Sequence, residues 1–277
     1  MIVNADSAQI YADLPILSAA PTPEQRASAE HRLYGVRDGA LPCSAADWAA
    51  QAEREIADVH SNGATPILVG GTGLYLRTLL EGIAPVPPIE SDVRARVRSA
   101  TVAENRAKLE TLDAGAAERL SPSDSSRINR ALEVILSTGR TLDEWQKERQ
   151  GGIGQKVDLR AILLLPPRKW LYARCDERFA QMIEQGAVAE VERLISRKLN
   201  ENLPVMRAIG VREISAYLFG ELSLDQAVDA GQQSTRRYAK RQYTWFSHQP
   251  PADWPRFQET LDLDRLGEAL ALLQAKG

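Results

Sequence analysis

The amino-acid sequence predicts an α/β fold whose parallel sheet is interrupted by an all-helical insertion. The opening residues Ile2–Val3 and two apolar runs, TPILV at 65–69 and LRAILLL at 159–165, are typical of buried parallel strands. Patterns of helical period separate these runs, as in a sheet built from βαβ units. A proline-rich stretch at 84–90 and a glycine-rich stretch at 150–156 enclose a segment that is helical almost throughout.

The first strand is predicted to lead through a helix to the strand at 65–69 and so to form a parallel crossover. This helix covers 45–63, where apolar residues recur at three- and four-residue spacing and Gly63 suits the end. Residues 19–25 (AAPTPEQ) are interpreted as an irregular loop within the crossover. The apolar positions of the helix are Trp48, Ala52, Ile56 and Val59.

The insertion is assigned to residues 88–158, which leaves 1–87 and 159–277 for the α/β core. After the strand at 159–165 the chain is predicted to return to helix and to remain largely helical to about residue 246. Linkers rich in proline or glycine permit an insertion of this kind to move as a body.

The composition restricts the class of protein. The 277 residues carry a net charge of −3, so any binding to nucleic acid must rest on local basic segments. The two cysteines, Cys43 and Cys175, are too few for a disulfide framework or a zinc site, as is typical in a reducing cytoplasm. The sequence shows no signal peptide and no run near the roughly 20 apolar residues that span a bilayer. We therefore expect a cytoplasmic protein with no membrane association.

A glycine-rich turn, Gly70-Gly71-Thr72-Gly73, connects the strand at 65–69 to a helix. Glycine allows close approach of the backbone, and the amides at a helix start attract anions. The Thr72 hydroxyl is expected at the edge of the sheet where α/β proteins bind ligands. The turn does not satisfy Gly-x-Gly-x-x-Gly, and a tight connection that requires glycine is an equally good interpretation.

Asp6 follows the first strand and is expected at the same edge as Thr72. The alternative is an N-cap or an Asx turn that Asp6 shares with Ser7. Because Asp6 and Thr72 end parallel strands that should lie close together, the functional interpretation gains weight.

Basic residues concentrate in three segments: the start of the insertion, a helix within it, and residues 234–246 (STRRYAKRQYTWF). Cations that bind phosphates, together with rings that stack on bases, are typical of proteins that hold single-stranded RNA. The alternative is a solvated basic face over an aromatic core stripe, and for the aromatic residues it is preferred. The cations are Arg94, Arg96, Arg98, Arg127, Arg130, Arg236, Arg237, Lys240 and Arg241. The three histidines share no spacing typical of metal ligands.

Five segments, taken together and in order, resemble the tRNA dimethylallyltransferase family. They are NADSAQIY at 4–11, PILVGGTGLYLRTLLEG at 66–82, SRINRALEVILSTGR at 126–140, MRAIGVREI at 206–214 and TRRYAKRQYTWF at 235–246. The resemblance implies a P-loop NTPase-like α/β core with a helical tRNA-binding insertion. It also implies transfer of a dimethylallyl group from dimethylallyl diphosphate to the exocyclic amine of the adenosine 3′-adjacent to the anticodon, with Mg²⁺ as cofactor.

By match of motif, the resemblance makes Asp6 the general base, Thr72 a substrate contact and Arg94 a residue near the reacting groups. These three are the implied catalytic residues. The implied tRNA-binding residues are Asp6, Ser7, Ala8, Gln9, Thr72, Arg94, Ser126, Arg127, Ile128, Asn129, Arg130, Arg237, Lys240, Arg241, Gln242, Tyr243, Thr244 and Trp245. The implied diphosphate-binding residues are Gly70, Gly71, Thr72 and Arg207.

The sequence departs from the family at its phosphate loop. The family carries Gly-x-x-x-x-Gly-Lys-Ser/Thr before the aspartate motif, and this sequence contains no such motif. We interpret the chain as shortened at its N-terminus, which would remove a strand, the main diphosphate cradle and the Mg²⁺-binding hydroxyl. No metal ligand is therefore assigned. Ser126 and Ala20 stand where the family often has glutamine and lysine. The expected consequences are weak or absent transfer, an exposed sheet edge, and marginal stability or self-association.

Three hypotheses remain open. The first is a tRNA dimethylallyltransferase that acts as a monomer. The second is a catalytically inactive module that still binds tRNA. The third, a small-molecule kinase on a similar scaffold, is disfavoured because the phosphate-binding lysine is lacking and the basic segments would have no use.

Overall fold

The computed structural model describes residues 1–274 and divides the chain into two compact units. The α/β unit comprises Met1–Leu79 and the chain from Gly154 onward, and the helical unit comprises Leu80–Ile153. The sequence placed both boundaries several residues later, at 88 and 158. Among the residues described, no helix combines the length and apolar character that a membrane crossing requires.

Strands and helices are numbered in chain order. The strands are β1 (Ile2–Asn4), β2 (His31–Arg32), β3 (Ile67–Val69), β4 (Leu163–Leu164) and β5 (Arg256–Phe257). The helices up to the end of the helical unit are α1 (Pro23–Ser28), α2 (Ala45–Ser61), α3 (Gly73–Glu81), α4 (Ser91–Ser99), α5 (Val102–Leu112), α6 (Ala114–Arg119), α7 (Ser125–Thr138) and α8 (Leu142–Gln146). The later helices are α9 (Arg168–Glu184), α10 (Ala187–Ser196), the 3₁₀ helix Val205–Arg207, α11 (Val211–Leu218), α12 (Leu224–His248) and α13 (Leu266–Gln274).

β1 is the central strand of a three-stranded parallel sheet with the order β2–β1–β3. The register pairs Ile2 with Ile67 and Asn4 with Val69, so the carboxyl ends of β1 and β3 lie side by side. The predicted parallel crossover is confirmed. β2, which the sequence analysis did not include, pairs with the other edge of β1.

α2 packs one face into the core of the α/β unit. The indole N–H of Trp48 donates to the carbonyl of Asn4 at 2.9 Å, and the ring stacks on Tyr75 with centroids 4.8 Å apart. α2 therefore fixes the end of β1 as well as covering apolar surface. Its buried residues are Trp48, Ala52, Ile56 and Val59, the four positions that the spacing predicts.

The apolar run at 159–165 differs from its prediction. Only Leu163–Leu164 forms a strand, and it pairs with β5 in a separate two-stranded parallel sheet. The Leu165 N–H still donates to the Phe257 carbonyl at 2.8 Å, and because Pro166 and Pro167 lack an N–H group the ladder ends there. Residues 159–162 before β4 form no strand.

Burial of the predicted strands is also only partial. Ile67 is 51% exposed and Val69 is 48% exposed, because the face of the sheet that both side chains share is incompletely covered within residues 1–274. Leu164 of β4 is 51% exposed.

Two helical segments also correct the sequence analysis. The loop assigned to 19–25 ends in α1, which begins at Pro23. Thr22 Oγ1 accepts the Gln25 N–H at 3.3 Å and the Gln25 side chain accepts the Thr22 N–H at 2.9 Å, a capping box followed by proline at the first helical position. The helical stretch after Pro167 is broken at Gly186, whose φ of +102° separates α9 from α10.

α9 packs along α12 within the α/β unit. Gly231 of α12 permits this contact, since a Cβ there would collide with the ring of Phe179. Arg236 forms an ion pair with Asp176, and the Gln232 side chain donates to the Asp176 carbonyl at 3.1 Å. Arg236 is therefore engaged inside the protein and does not belong to an open basic surface.

The helical unit has its own core, formed between α4, α5, α6 and α7. α7 begins at Asp124, the predicted N-cap, whose carboxylate accepts the Arg127 N–H at 3.1 Å. At the entrance of the unit, Ile83 and Gln150 exchange two backbone hydrogen bonds of 3.0 Å, so the glycine-rich segment begins in a paired backbone. The two apolar clusters consist of Leu109, Ala116, Ala117, Ile128 and Ala131, and of Val93, Val97 and Leu132.

Candidate functional site

Thr72 joins the turns that follow β1 and β3. Its Oγ1 accepts the Ser7 N–H at 3.0 Å and donates to Ser7 Oγ at 3.2 Å. The Thr72 N–H donates to the Ala5 carbonyl at 3.2 Å, so this amide is not free to bind an anion. The strand ends that carry Asp6 and Thr72 are adjacent, as parallel pairing predicts.

The two oxygens of the Asp6 carboxylate have different surroundings. Oδ1 accepts the Ala8 N–H at 2.8 Å, which is the Asx turn considered as the alternative. Oδ2 makes no hydrogen bond within residues 1–274, and the residue is only partly buried. The carboxylate is therefore held through one oxygen, and the other is available to a ligand.

Asn4 fixes the backbone of Asp6, and the sequence analysis assigned it no role. Its Oδ1 accepts the Asp6 N–H at 2.7 Å, and its Nδ2 donates to the carbonyls of Asp6 at 3.0 Å and Leu33 at 2.9 Å. The side chain is fully buried. An amide at the end of an apolar strand is the available signal, because a buried polar side chain needs fixed partners.

The glycines of the turn after β3 are required by packing. A Cβ on Gly70 would collide with the backbone of Ala5, and one on Gly71 would collide with the side-chain amide of Gln242. A Cβ on Gly73 would lie 2.5 Å from the Trp245 ring. The tight-connection interpretation thus accounts for all three glycines, and diphosphate binding by Gly70 and Gly71 stays a prediction.

Tyr238 and Arg178 lie within the electrostatic range of Asp6, although the sequence analysis did not assign either to the site. Burial raises the pKa of Tyr238 and the charge of Asp6 raises it further, while hydrogen bonding with Thr72 lowers it in part. Loss of hydration lowers the pKa of Arg178, against the opposing effects of Cys175 and Asp6. The sequence feature that could have identified Tyr238 as a site residue is its position one helical turn before Gln242.

The loop after the aspartate motif is held from two sides. The Gln9 side-chain amide donates to the carbonyls of Ser18 at 2.9 Å and Ala19 at 3.0 Å, so both of its hydrogens are used inside the protein. Glu190 of α10 accepts the N–H groups of Ile16 at 2.7 Å and Leu17 at 2.9 Å. Burial raises the pKa of Glu190, and these two hydrogen bonds lower it in part.

α12 presents Arg237, Lys240 and Arg241 as exposed cations that form no ion pair among the described residues. The Arg241 guanidinium lies 5.5 Å from the Tyr238 ring centroid. Thr244 is exposed on the same face. This face remains available to the phosphates of a nucleic acid.

Tyr243, in contrast, is partly buried. Its hydroxyl donates to the Leu165 carbonyl at 3.4 Å, and the Arg168 guanidinium lies 4.7 Å from its ring centroid. Trp245 is also partly buried. The packing interpretation preferred for the aromatic residues of this segment agrees with these contacts.

In the helical unit, the predicted tRNA-binding stretch 126–130 faces in two directions. Ile128 is fully buried in the core, which leaves it no side-chain surface for RNA and corrects the prediction for this residue. Asn129 Oδ1 accepts from the Asn105 side chain at 2.9 Å. Ser126 is exposed, and so is Arg127, whose guanidinium lies 3.5 Å from the Asp124 carboxylate.

Arg94 and Arg130 are exposed cations of the same unit. Loss of hydration lowers the pKa of Arg130, with Glu133 opposing and the charge of Arg94 adding to the shift.

The described residues present no clustered ligand set to which the family's magnesium can be assigned. No group of three or more histidine, cysteine, aspartate or glutamate side chains within residues 1–274 could hold a metal ion. Magnesium is usually held by one or two carboxylates with substrate phosphates, and one oxygen of Asp6 is already engaged. Magnesium therefore stays an expectation from the resemblance, and no chemical step is derived through it. Arg207, the predicted diphosphate-binding cation, is exposed at the end of its 3₁₀ helix.

The fold and the site define an α/β protein with a partly buried carboxylate at the ends of parallel strands and an exposed basic helix in the same unit. The sequence profile of the IPP transferase family matches residues 9–249. The chain belongs to the IPP transferase family, whose members are prenyltransferases, and the predicted resemblance is confirmed.

Similar proteins extend over both units. A tRNA dimethylallyltransferase of Erythrobacter litoralis is 57% identical over 272 residues, which cover 98% of this chain and 86% of the relative. A tRNA dimethylallyltransferase of Novosphingobium aromaticivorans is 56% identical over 274 residues, which cover 98% of each chain. The crystal structure of the full-length tRNA isopentenylpyrophosphate transferase of Bacillus halodurans is 30% identical, with a TM-score of 0.68 over 98% of this chain and 85% of that one.

Proposed function

We propose that this protein transfers a dimethylallyl group from dimethylallyl diphosphate to the exocyclic amine of the adenosine 3′-adjacent to the anticodon in tRNA. The observation that carries the proposal is the adjacency of Asp6 and Thr72 at the ends of paired strands. Membership of the IPP transferase family and the names of its relatives support the prenyl donor and the tRNA acceptor.

Asp6 is proposed as the general base. An adenine amine is a poor nucleophile because its lone pair is delocalised into the ring, so proton removal must accompany bond formation. Oδ2 of Asp6 would take the amine proton as the carbon–nitrogen bond forms. The carbon–oxygen bond to diphosphate breaks in the same step, and its electron pair leaves with the diphosphate. General base catalysis of this kind contributes about 10²–10⁴-fold in rate.

Thr72 and two arginines are proposed to act around this step. Thr72 holds the Ser7 N–H and so keeps the backbone next to Asp6 in place. Arg207 would offset the negative charge that develops on the leaving diphosphate. Arg94 is proposed, by match of motif alone, as a residue that acts near the reacting groups.

The exposed cations are proposed to bind the RNA. On α12 these are Arg237, Lys240 and Arg241, and on the helical unit Arg127 and Arg130. Phosphate contacts would also offset the few kcal/mol needed to take the target adenine out of its stack. We further propose that the protein works as a monomer and that it resides in the cytoplasm; its free cysteines Cys43 and Cys175 support the second point.

The test is single-turnover prenylation of an anticodon stem-loop RNA with labelled dimethylallyl diphosphate. The wild type should transfer label to the target adenosine, at a low rate because the sequence contains no Gly-x-x-x-x-Gly-Lys-Ser/Thr loop, and none to an RNA whose target base lacks the exocyclic amine. Asp6→Asn should slow transfer by about 10²–10⁴-fold without weakening RNA binding. An unchanged rate would overturn the role of Asp6. RNA binding without transfer by the wild type would favour the binding module, and loss of both would overturn each hypothesis.

A further inference from the structure

We propose that Gln242 and Trp245 position the turn Gly70–Gly73 and do not contact RNA. We call this turn the catalytic turn because it carries Thr72, a name that rests on the proposed function. Both residues stand among the implied tRNA contacts, so the proposal divides that set into two roles.

Gln242 holds the first half of the catalytic turn. Its Nε2 donates to the carbonyl of Gly71 at 2.9 Å, across 171 residues of sequence. The side chain is packed so closely that a Cβ on Gly71 would collide with this nitrogen. One hydrogen of its amide nitrogen is therefore engaged by the turn.

Trp245 holds the second half. A Cβ on Gly73 would lie 2.5 Å from its ring, so the ring rests directly on the backbone where α3 begins. Arg77 of α3 has its guanidinium 5.4 Å from the centroid of the Trp245 ring, and it also donates to the Gln249 side chain at 2.6 Å. The start of α3 is thus fixed to the end of α12 by packing and by a hydrogen bond.

The catalytic turn is clamped between two surfaces. On the side of β1, Gly70 packs against the backbone of Ala5, and the Thr72 N–H donates to the Ala5 carbonyl. α12 closes the other side. Thr72 Oγ1 accepts the Ser7 N–H at 3.0 Å, so the position of the turn determines the position of the backbone one residue from Asp6. A loss of the α12 contacts would therefore loosen the Ser7 N–H and the carboxylate beside it.

The two roles of α12 fall on different faces. Tyr238, Gln242 and Trp245 recur at spacings of four and three, which places them on the face that packs on the turn. The exposed cations Arg237 and Arg241 lie at their own four-residue spacing on another face. RNA binding and turn placement can therefore be separated by mutation.

The decisive variant is Gln242→Met, which keeps the length of the side chain and removes its donor to Gly71. Loss of one such hydrogen bond should slow single-turnover transfer at saturating RNA by about tenfold. The dissociation constant for the stem-loop RNA and its salt dependence should stay within about twofold of the wild type. Exchange of the Ser7 amide with deuterated water should accelerate. Gln233→Met, at an exposed position of the same helix, is the matched control and should change none of these.

Trp245→Phe is the second variant, and it keeps an aromatic ring at this position. It tests the proposal independently if Gln242→Met lowers the thermal midpoint of unfolding. It should show the same pattern of slower transfer, faster Ser7 exchange and unchanged RNA affinity. Weaker RNA binding with unchanged Ser7 exchange, in either variant, would overturn the proposal. Because Ser7 exchange and RNA affinity do not require turnover, a wild type without transferase activity would defeat the proposed function and still leave this inference decided.

Discussion

Asn4 brackets Asp6: its amide oxygen accepts the Asp6 N–H at 2.7 Å and its amide nitrogen donates to the Asp6 carbonyl at 3.0 Å. A third hydrogen bond runs to the carbonyl of Leu33 at 2.9 Å, and the side chain has no exposed surface. The candidate base is therefore held on its main chain by a buried side chain whose hydrogen-bonding groups all have partners.

Asn4→Asp should destabilise the protein by about 2 kcal/mol or more. The substitution preserves shape but turns a donor into a carboxylate oxygen that faces two carbonyls in a buried position. Urea unfolding measures the loss. Asn202→Asp, at an exposed site, should stay within about 0.5 kcal/mol of the wild type. Equal effects of the two substitutions would show that the bracket contributes nothing specific.

Arg236 and Arg237 should respond in opposite ways to substitution by glutamine. Arg237 is exposed and unpaired among the residues described, so Arg237→Gln should weaken RNA binding. It should also reduce the magnitude of the salt slope, which is the slope of log K for RNA binding against log salt concentration, by about 0.9. Arg236 pairs with Asp176, with both side chains 35% exposed, so Arg236→Gln should cost at most about 1 kcal/mol of stability in a screened site. It should leave the salt slope unchanged. Binding titrations over a range of KCl, with urea unfolding, distinguish the two, and a reversed assignment would contradict the two faces of α12.

The contrast between these neighbours shows where sequence reasoning succeeds. The buried face of α2 was predictable because helical spacing is a local property, and the adjacency of Asp6 and Thr72 followed from parallel pairing. The partner of Leu163–Leu164 was not predictable, because β4 pairs with β5 from more than 90 residues away. The bond from Gln242 to Gly71 spans 171 residues and leaves no local pattern. The burial of Ile128 was predictable from its position on its own helix, but the family motif that contains it led to a prediction of RNA contact.

Glu190→Gln should change how stability depends on pH. Burial raises the pKa of Glu190 above its ordinary value of 4.5, so the folded state binds this proton more tightly than the unfolded state. Its contribution to stability is therefore largest at low pH and falls as pH rises from 4.5 through the raised value. Glutamine cannot titrate, and its amide nitrogen leaves the N–H of Ile16 or Leu17 without an acceptor, at a cost of about 1–3 kcal/mol.

The stability gap between wild type and Glu190→Gln should thus narrow as pH rises from 4.5 towards neutrality. Unfolding in urea at a series of pH values measures the gap. Glu192→Gln, at an exposed position of the same helix, should show a gap that does not change with pH. A Glu190 gap that stays constant or widens would mean that the folded state does not hold this proton more tightly.

The contact between Gly73 and Trp245 gives a double-mutant cycle. In the wild type, Gly73→Ala should destabilise the protein because its Cβ would lie 2.5 Å from the indole ring. In a Trp245→Ala background the three atoms nearest to this Cβ, all in the indole ring, are removed, and the higher helix propensity of alanine should stabilise α3 by up to about 1 kcal/mol. The sign of the effect of Gly73→Ala should therefore reverse with the residue at 245. Urea unfolding of the four proteins should give a coupling energy of about 1–3 kcal/mol. Additive effects would mean that Trp245 does not rest on the turn, and the clamp on Thr72 would then lose one of its two contacts from α12.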